Sequence, residues 1–62
     1  MDWYDFEEIA YEMFDIPDGS GERLKETYHE IGYIIANNRD IEDQWISVAM
    51  GILSEHFAEK EQ

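Results

Sequence analysis

Acidic side chains dominate this 62-residue chain, in which sixteen Asp and Glu residues stand against four Lys and Arg and give a formal net charge of −12. Four cations cannot pair with sixteen carboxylates, so most carboxylates must face water or a positively charged partner. Hydrophobic residues nevertheless make up 44% of the sequence and aromatic residues 15%, which is too much apolar material for a disordered acidic tail. The chain must therefore fold with its apolar residues inside and its carboxylates outside.

Length and cysteine content limit the fold further. Sixty-two residues make one domain, spanning 1–62, and the chain has no cysteine that could form a disulfide or a thiolate metal site. No apolar run approaches the roughly 18 residues of a membrane span, and the chain opens with Asp2 and Asp5 rather than with Lys or Arg. We therefore expect a cytoplasmic protein without an export signal or membrane contact.

Apolar residues recur at helical spacing in three segments, which predicts an all-α fold, a compact three-helix bundle. The helices are expected at roughly 3–14, 21–37 and 41–58. Asp2, Ser20 and Asp40 stand where N-terminal caps are expected.

The segment between the first two predicted helices is acidic and contains glycine, as calcium-binding loops do. Pro17 and the two glycines Gly19 and Gly21 predict a turn there. Placing Gly19 at the invariant sixth position of an EF-hand loop puts Phe14 first and Ile16 third, where oxygen ligands are required. The segment cannot be an EF-hand, and we expect neither a metal nor a cofactor, leaving open only weak cation binding at two aspartates, Asp15 and Asp18.

The outer face of the first helix carries a row of carboxylates, here called the first acidic row: Asp5, Glu8, Glu12 and Asp15. Tyr4 and Tyr11 fall at its edge, and no Lys or Arg precedes Arg23. Like charges at these spacings destabilise a helix by a few tenths of a kcal/mol per pair, and a face built only for solubility would usually interleave Lys. The row is either a binding surface or an ordinary solvated face.

A second acidic row, Glu22, Glu26 and Glu30, lies opposite the apolar stripe of the second helix, with Tyr33 and His29 beside it. Successive carboxylates are about 6 Å apart along the helix axis, close to the roughly 6–7 Å between phosphates along a nucleic acid strand. Arg23 and Lys25 flank this row and are expected to pair with Glu26 and Glu22.

The third helix has an apolar arc wider than the stripe that a surface helix needs. We therefore expect either a homodimer contact through Ile46, Met50 and Phe57 or burial of that side by the first helix. Gly32 and Gly51 lie inside helices, where each costs about 1 kcal/mol against Ala, which predicts a close approach between helices at both positions.

No catalytic group can be assigned from the sequence. His29 and His56 lie on different helices, and neither belongs to a metal-binding pattern. A carboxylate pair could be drawn almost anywhere in so acidic a chain and is uninformative. The chain is also too small to enclose a substrate pocket of about 300 Å³ within one protomer, so we expect no enzyme. Direct nucleic-acid binding is not expected, because the net potential repels a polyanion.

The charge that repels nucleic acid would attract a basic protein surface, and it therefore predicts a partner with a basic groove. Carboxylates at phosphate-like spacing could occupy the nucleic-acid site of another protein, with the tyrosines as rigid contacts. In size, charge and its two acidic rows, the chain resembles phage- and plasmid-borne DNA-mimic proteins, a group that includes anti-restriction and anti-CRISPR inhibitors. That resemblance implies a non-enzymatic inhibitor of a nuclease, a CRISPR effector or another DNA-binding protein, acting in the host cytoplasm if phage-encoded. The alternative is an acidic helical adaptor or subunit that binds a protein partner mainly through the apolar surface of the third helix.

Overall fold

The computed structural model describes residues 1–61, which form three α-helices and a small two-stranded sheet. In chain order the elements are α1 (Trp3–Met13), β1 (Phe14–Asp15), α2 (Gly21–Asn37), a 3₁₀ helix (Arg39–Gln44), α3 (Trp45–His56) and β2 (Ala58–Glu59). The prediction of a mainly helical fold with three α-helices is confirmed. The first helix matches its predicted bounds to one residue and the second matches them at both ends.

The ends of α1 follow from local chemistry. Asp2 caps its N-terminus as predicted, because the side chain accepts a hydrogen bond from the Tyr4 N–H at 3.4 Å. At the other end Phe14 adopts an extended backbone and leaves the helix. The following turn is closed by a hydrogen bond from the Ser20 N–H to the Pro17 carbonyl, and Gly19 supplies the φ of +86° that side-chain-bearing residues rarely adopt.

The predicted start of the third helix is wrong. Residues Arg39–Gln44 form a 3₁₀ helix, and α3 begins only at Trp45. Asp40 therefore lies inside the 3₁₀ helix rather than at a cap. The physical reason is that Ile41 is the only apolar residue available for burial in this segment, so packing supports an α-helical stripe only from Trp45 onward. Ser20 does precede α2, but its side chain makes no capping hydrogen bond.

An antiparallel ribbon of β1 and β2 was not predicted and qualifies the all-α expectation. Phe14 is paired with Glu59, and Asp15 with Ala58. The ribbon is extended by a hydrogen bond of 3.0 Å from the Lys60 N–H to the Met13 carbonyl. Because β2 begins at Ala58, the third helix ends at His56 rather than at the expected residue 58.

The core lies between the three helices and the ribbon. Its buried hydrophobic residues are Phe6, Ala10, Phe14, Leu24, Ile31, Ala49, Leu53 and Phe57. Aromatic contacts join α1 to α2, because the Tyr28 ring lies 5.0 Å from that of Trp3 and 5.3 Å from that of Phe6. Thr27 is also buried, and its hydroxyl donates to the Arg23 carbonyl at 2.9 Å. Its polar group is therefore satisfied within α2.

Close helix approach does not explain the two helical glycines. A Cβ atom built at Gly32 or at Gly51 would have no atom of the surrounding described structure within 4 Å. The expectation that these glycines allow neighbouring helices to approach is therefore wrong for a single copy of the chain.

Candidate protein-binding surface

The first acidic row lies on the solvent side of the molecule. Asp5, Glu8 and Glu12 project from α1 on the side opposite the buried Phe6 and Ala10, and all three are exposed. Asp15 is exposed as well, but it belongs to β1. The row therefore continues past the end of the helix onto the ribbon.

The three tyrosines of the predicted binding surface have their rings in solvent. Tyr4 is 74% exposed and Tyr33 is 72% exposed, while Tyr11 is about half exposed. Tyr4 and Tyr11 are seven residues apart, so they share one side of α1 with Glu8 between them. Exposed aromatic rings next to carboxylates give this surface rigid contact groups as well as charge.

The second acidic row is exposed but its members have different surroundings. Glu22 and Glu26 point into solvent from α2. Glu30 is at the edge facing α3, where its carboxylate lies 3.4 Å from Nε2 of His56. The row therefore has two unengaged carboxylates and one that contacts the neighbouring helix.

The basic residues do not neutralise the second acidic row as predicted. Arg23 donates a hydrogen bond to the His56 carbonyl at 3.1 Å, and its guanidinium lies 5.2 Å from the centre of the Phe57 ring. Lys60 donates to the Tyr11 carbonyl at 2.6 Å. Throughout residues 1–61, the contact between His56 and Glu30 is the one approach of a basic to an acidic side-chain atom within 4.0 Å, and it is an ion pair only when His56 is protonated. The expected pairs of Arg23 and Lys25 with Glu26 and Glu22 are absent from this set, so the second acidic row is less neutralised than the sequence indicated.

The ribbon brings further residues to the first acidic row that the sequence did not connect with it. Glu59 is paired with Phe14 at the end of α1 and is exposed, and Lys60 contacts the carbonyl of Tyr11. A two-residue strand has no periodicity to detect, and these partners are more than 40 positions apart in sequence. Neither position could have been placed by helical projection.

The three residues expected to form a dimer contact have different environments. Ile46 is 51% exposed on α3, and Met50 is half-buried. Phe57 is only 6% exposed and follows α3 as part of the core, with Arg23 against its ring. Phe57 is therefore unavailable for a surface contact, because its extended backbone at the end of α3 turns the ring inward.

An open groove of about 580 Å³ runs along the C-terminal half of α2. Its lining includes Tyr28, Gly32, Tyr33, Arg39 and Glu42. The groove is open to solvent and does not enclose a cavity.

The two histidines lie apart from any cluster of metal-binding side chains. His29 is exposed and its ring packs edge-on against Tyr28, whereas His56 contacts Glu30. In the described part of the chain, no three His, Cys, Asp or Glu side chains are grouped so that they could hold a metal ion. Over the same residues, none of the helices combines the length and the apolar character needed to cross a membrane.

Comparison with protein-family models, with curated proteins and with solved structures finds no match to this chain. The function of this chain must therefore be inferred from the charge and geometry of its own residues.

Proposed function

We propose that this protein is a non-enzymatic inhibitor that occupies the basic nucleic-acid-binding site of a nuclease, a CRISPR effector or another DNA-binding protein. The observation that carries the proposal is the lack of neutralisation of the acidic rows. Their carboxylates are exposed, and within residues 1–61 the one short ion pair involves His56 rather than any Lys or Arg. Such a surface attracts a basic groove over a distance of several ångströms and repels nucleic acid itself.

Binding in this proposal replaces the phosphates of the natural ligand by carboxylates. The first acidic row supplies three carboxylates on one helix face, spaced by about 4.5 and 6 Å along the axis. Lys and Arg side chains of the partner would pair with them and release the counterions held in its groove. Tyr4 and Tyr11 would pack against the walls of that groove, because their rings are already exposed and lose little freedom on contact.

A rigid support is part of the proposal. We propose that the three α-helices form the compact bundle that the sequence predicted and hold the rows in fixed positions, as a single domain in the cytoplasm. Support for rigidity comes from the aromatic contacts between α1 and α2 and from the ribbon that holds the C-terminal end of α1. The absence of cysteine is compatible with a reducing compartment.

A second candidate function is that of an adaptor which binds a protein partner through α3. The observation that favours it is the exposure of Ile46, which lies on a helix with a single carboxylate, Glu55, and no Lys or Arg. An adaptor of this kind would bind through apolar contact, so its affinity would change little with salt. The affinity of the proposed inhibitor would instead fall as salt is added, and this difference distinguishes the two candidates.

Capture from a bacterial lysate tests the lead proposal. The protein is immobilised, the lysate is divided into nuclease-treated and untreated halves, and bound proteins are released first by duplex DNA at constant ionic strength and then by salt. We expect nucleic-acid-binding proteins to be released by the duplex and by moderate salt, in both halves, because DNA and the acidic rows compete for one site. Recovery only of proteins that resist both treatments would contradict the proposal and favour the adaptor.

A further inference from the structure

The open groove beside α2 has the shape of a slot with a floor of small residues. Gly32 and Ala36 are four residues apart on the helix and form this floor. His29 and Tyr33 lie in the neighbouring row of α2 and form one wall, and Ile35 contributes to the other. A Cβ atom built at Gly32 would have no neighbour within 4 Å. No side chain of the described structure therefore fills the middle of the slot.

One end of the slot is held in place by the packing of Tyr28. Its hydroxyl donates to the Met1 carbonyl at 3.2 Å, and its ring lies against those of Trp3 and Phe6 on α1. Because these contacts fix the ring beforehand, a bound compound would lose little free energy to ordering the protein. The groove volume of about 580 Å³ also falls within the roughly 300–1,000 Å³ of small-molecule sites. The slot therefore has the size and the preformed wall that a small ligand requires.

The slot is also bordered by two basic side chains that have no polar contact elsewhere in residues 1–61. Arg39 lines the slot itself, and Lys25 lines an adjoining groove of about 400 Å³ that shares Tyr28 and His29 with it. Within the described residues, neither cation donates a hydrogen bond or lies within 4.0 Å of a carboxylate oxygen, whereas the other two basic side chains bind backbone carbonyls. The cations that the fold leaves unused therefore meet at one aromatic groove.

We propose that this slot binds a small aromatic carboxylate. The aromatic ring of the ligand lies over Gly32, against the rings of His29 and Tyr33, where offset or edge-on contacts between rings are favourable. Its carboxylate pairs with Arg39, because the planar guanidinium matches a carboxylate with two parallel hydrogen bonds. No residue of either acidic row lines the slot, so this proposal stands independently of the proposed inhibitory function.

The charge of the protein restricts the ligand to a single negative charge. The net charge of −12 repels anions, and Glu42 also lines the slot. A phosphate monoester carries nearly two charges at neutral pH and is repelled almost twice as strongly as a carboxylate. A cation is attracted by the molecule as a whole but meets Arg39 at the slot itself. Because the slot is open to solvent, we expect a dissociation constant on the order of 0.1–1 mM.

Titration of the full chain with three indole compounds, followed by the amide chemical shifts in NMR spectra, tests the ligand class. Indole-3-acetate, indole-3-acetamide and tryptamine share one ring and carry a negative, no and a positive charge. We expect indole-3-acetate to bind most tightly and to move the amide signals of Gly32 and Tyr33, with the acetamide about three- to fivefold weaker. Equal affinities, tighter binding of tryptamine, or no shift with indole-3-acetate at about 10 mM would overturn the proposal.

Variants of the slot test its location in the same titration with indole-3-acetate. Arg39→Gln should weaken binding about three- to fivefold and Glu42→Gln should strengthen it, because each removes one charge from the lining. Gly32→Leu should abolish binding by filling the slot. Gly51→Leu is the matched control, because Gly51 also has open space in a helix but lies on α3. Leucine favours a helix more than glycine does, so both variants should fold, which circular dichroism checks.

Equal affinity of the Gly32→Leu and Gly51→Leu variants for indole-3-acetate would overturn the proposal. Unchanged affinity in Arg39→Gln would overturn it as well, because the carboxylate would then be bound elsewhere.

Discussion

Arg23 illustrates how individual residues leave the acidic surface unneutralised. Its guanidinium donates to the His56 carbonyl and lies against the Phe57 ring, so it stabilises the end of α3 instead of pairing with Glu26. A carbonyl at a helix C-terminus carries partial negative charge and is a good acceptor for a cation. Lys60 contacts the Tyr11 carbonyl near the end of α1 in the same way. Two of the four basic residues therefore stabilise helix ends.

Helical projection placed Phe57 and Ile46 together in the expected dimer contact. Their substitutions by alanine should nevertheless change the free energy of unfolding by very different amounts. Phe57→Ala removes a buried ring and should lower the free energy of unfolding by about 3–5 kcal/mol, which is a large part of the roughly 3–9 kcal/mol expected for a chain of this length. Ile46→Ala should lower it by about 0.5 kcal/mol or less, because half of that side chain is already exposed. Urea unfolding followed by circular dichroism measures both, and equal midpoints would contradict the buried position of Phe57.

Replacing Gly19 or Gly32 by alanine should change the stability of the protein in opposite directions. Gly19→Ala forces a side chain into a backbone with φ of +86° and should destabilise the protein by about 1 kcal/mol. Gly32→Ala meets no neighbouring atom within 4 Å and should stabilise it by up to about 1 kcal/mol. In a chain of this size the two melting temperatures should move apart by about 8–16 °C. A lower melting temperature for Gly32→Ala would show that the space around Gly32 is not free.

At the scale of elements, helices were predictable and the connections that complete them were not. The helical stripe and the capping residue Asp2 were sufficient to place α1, whose predicted end at residue 14 lies one residue beyond the observed end at Met13. The 3₁₀ helix was missed because acidic residues resemble a helix N-terminus in sequence, while only Ile41 among them has apolar surface to bury. The ribbon was missed because it pairs distant residues through backbone hydrogen bonds, which sequence periodicity does not report.

The ribbon should contribute measurably to stability through the backbone of Lys60. Lys60→Pro removes both the N–H that donates to the Met13 carbonyl and the ammonium that donates to the Tyr11 carbonyl, so it is compared with Lys60→Ala, which lacks only the ammonium. Relative to Lys60→Ala we expect a loss of about 0.5–1.5 kcal/mol. Glu61→Pro is the matched control, because it adds a proline one residue later, leaves that N–H in place and favours an extended Lys60. Urea unfolding gives the stabilities. A loss as large for Glu61→Pro as for Lys60→Pro would contradict the role of this hydrogen bond.

At the scale of the whole molecule, the charge is a surface property whose location was partly predictable. Residues 1–18 carry seven carboxylates and no Lys or Arg, and helical projection assigned three of the first-row residues, Asp5, Glu8 and Glu12, to the outside of α1. Helical projection could not show which groups the basic side chains contact, because Arg23 and Lys60 bind carbonyl groups of elements far away in sequence. It also could not bring Glu59 to the end of α1.

Self-repulsion should make the stability of the protein depend on salt. With a net charge of −12 and few attractive pairs, the folded state is strained by its own carboxylates. Raising NaCl from about 50 to 500 mM should increase the melting temperature by about 4–8 °C for each kcal/mol of repulsion that is screened. The measurement uses dilute protein, so that contacts between molecules do not contribute. A melting temperature that falls with salt would mean that attractive ion pairs dominate instead.

The most direct test of the central claim asks whether the position of the charge matters or only its amount. Glu8→Lys/Glu12→Lys and Glu42→Lys/Asp43→Lys change the net charge equally, but the first pair alters the first acidic row and the second alters exposed residues of the 3₁₀ helix. The quantity measured is the amount of nucleic-acid-binding protein that each immobilised variant captures from a lysate and releases to duplex DNA. We predict that the row variant loses at least nine-tenths of this capture and that the control variant keeps most of it. Equal losses in the two variants, or no protein released by DNA from the unchanged chain, would contradict the account.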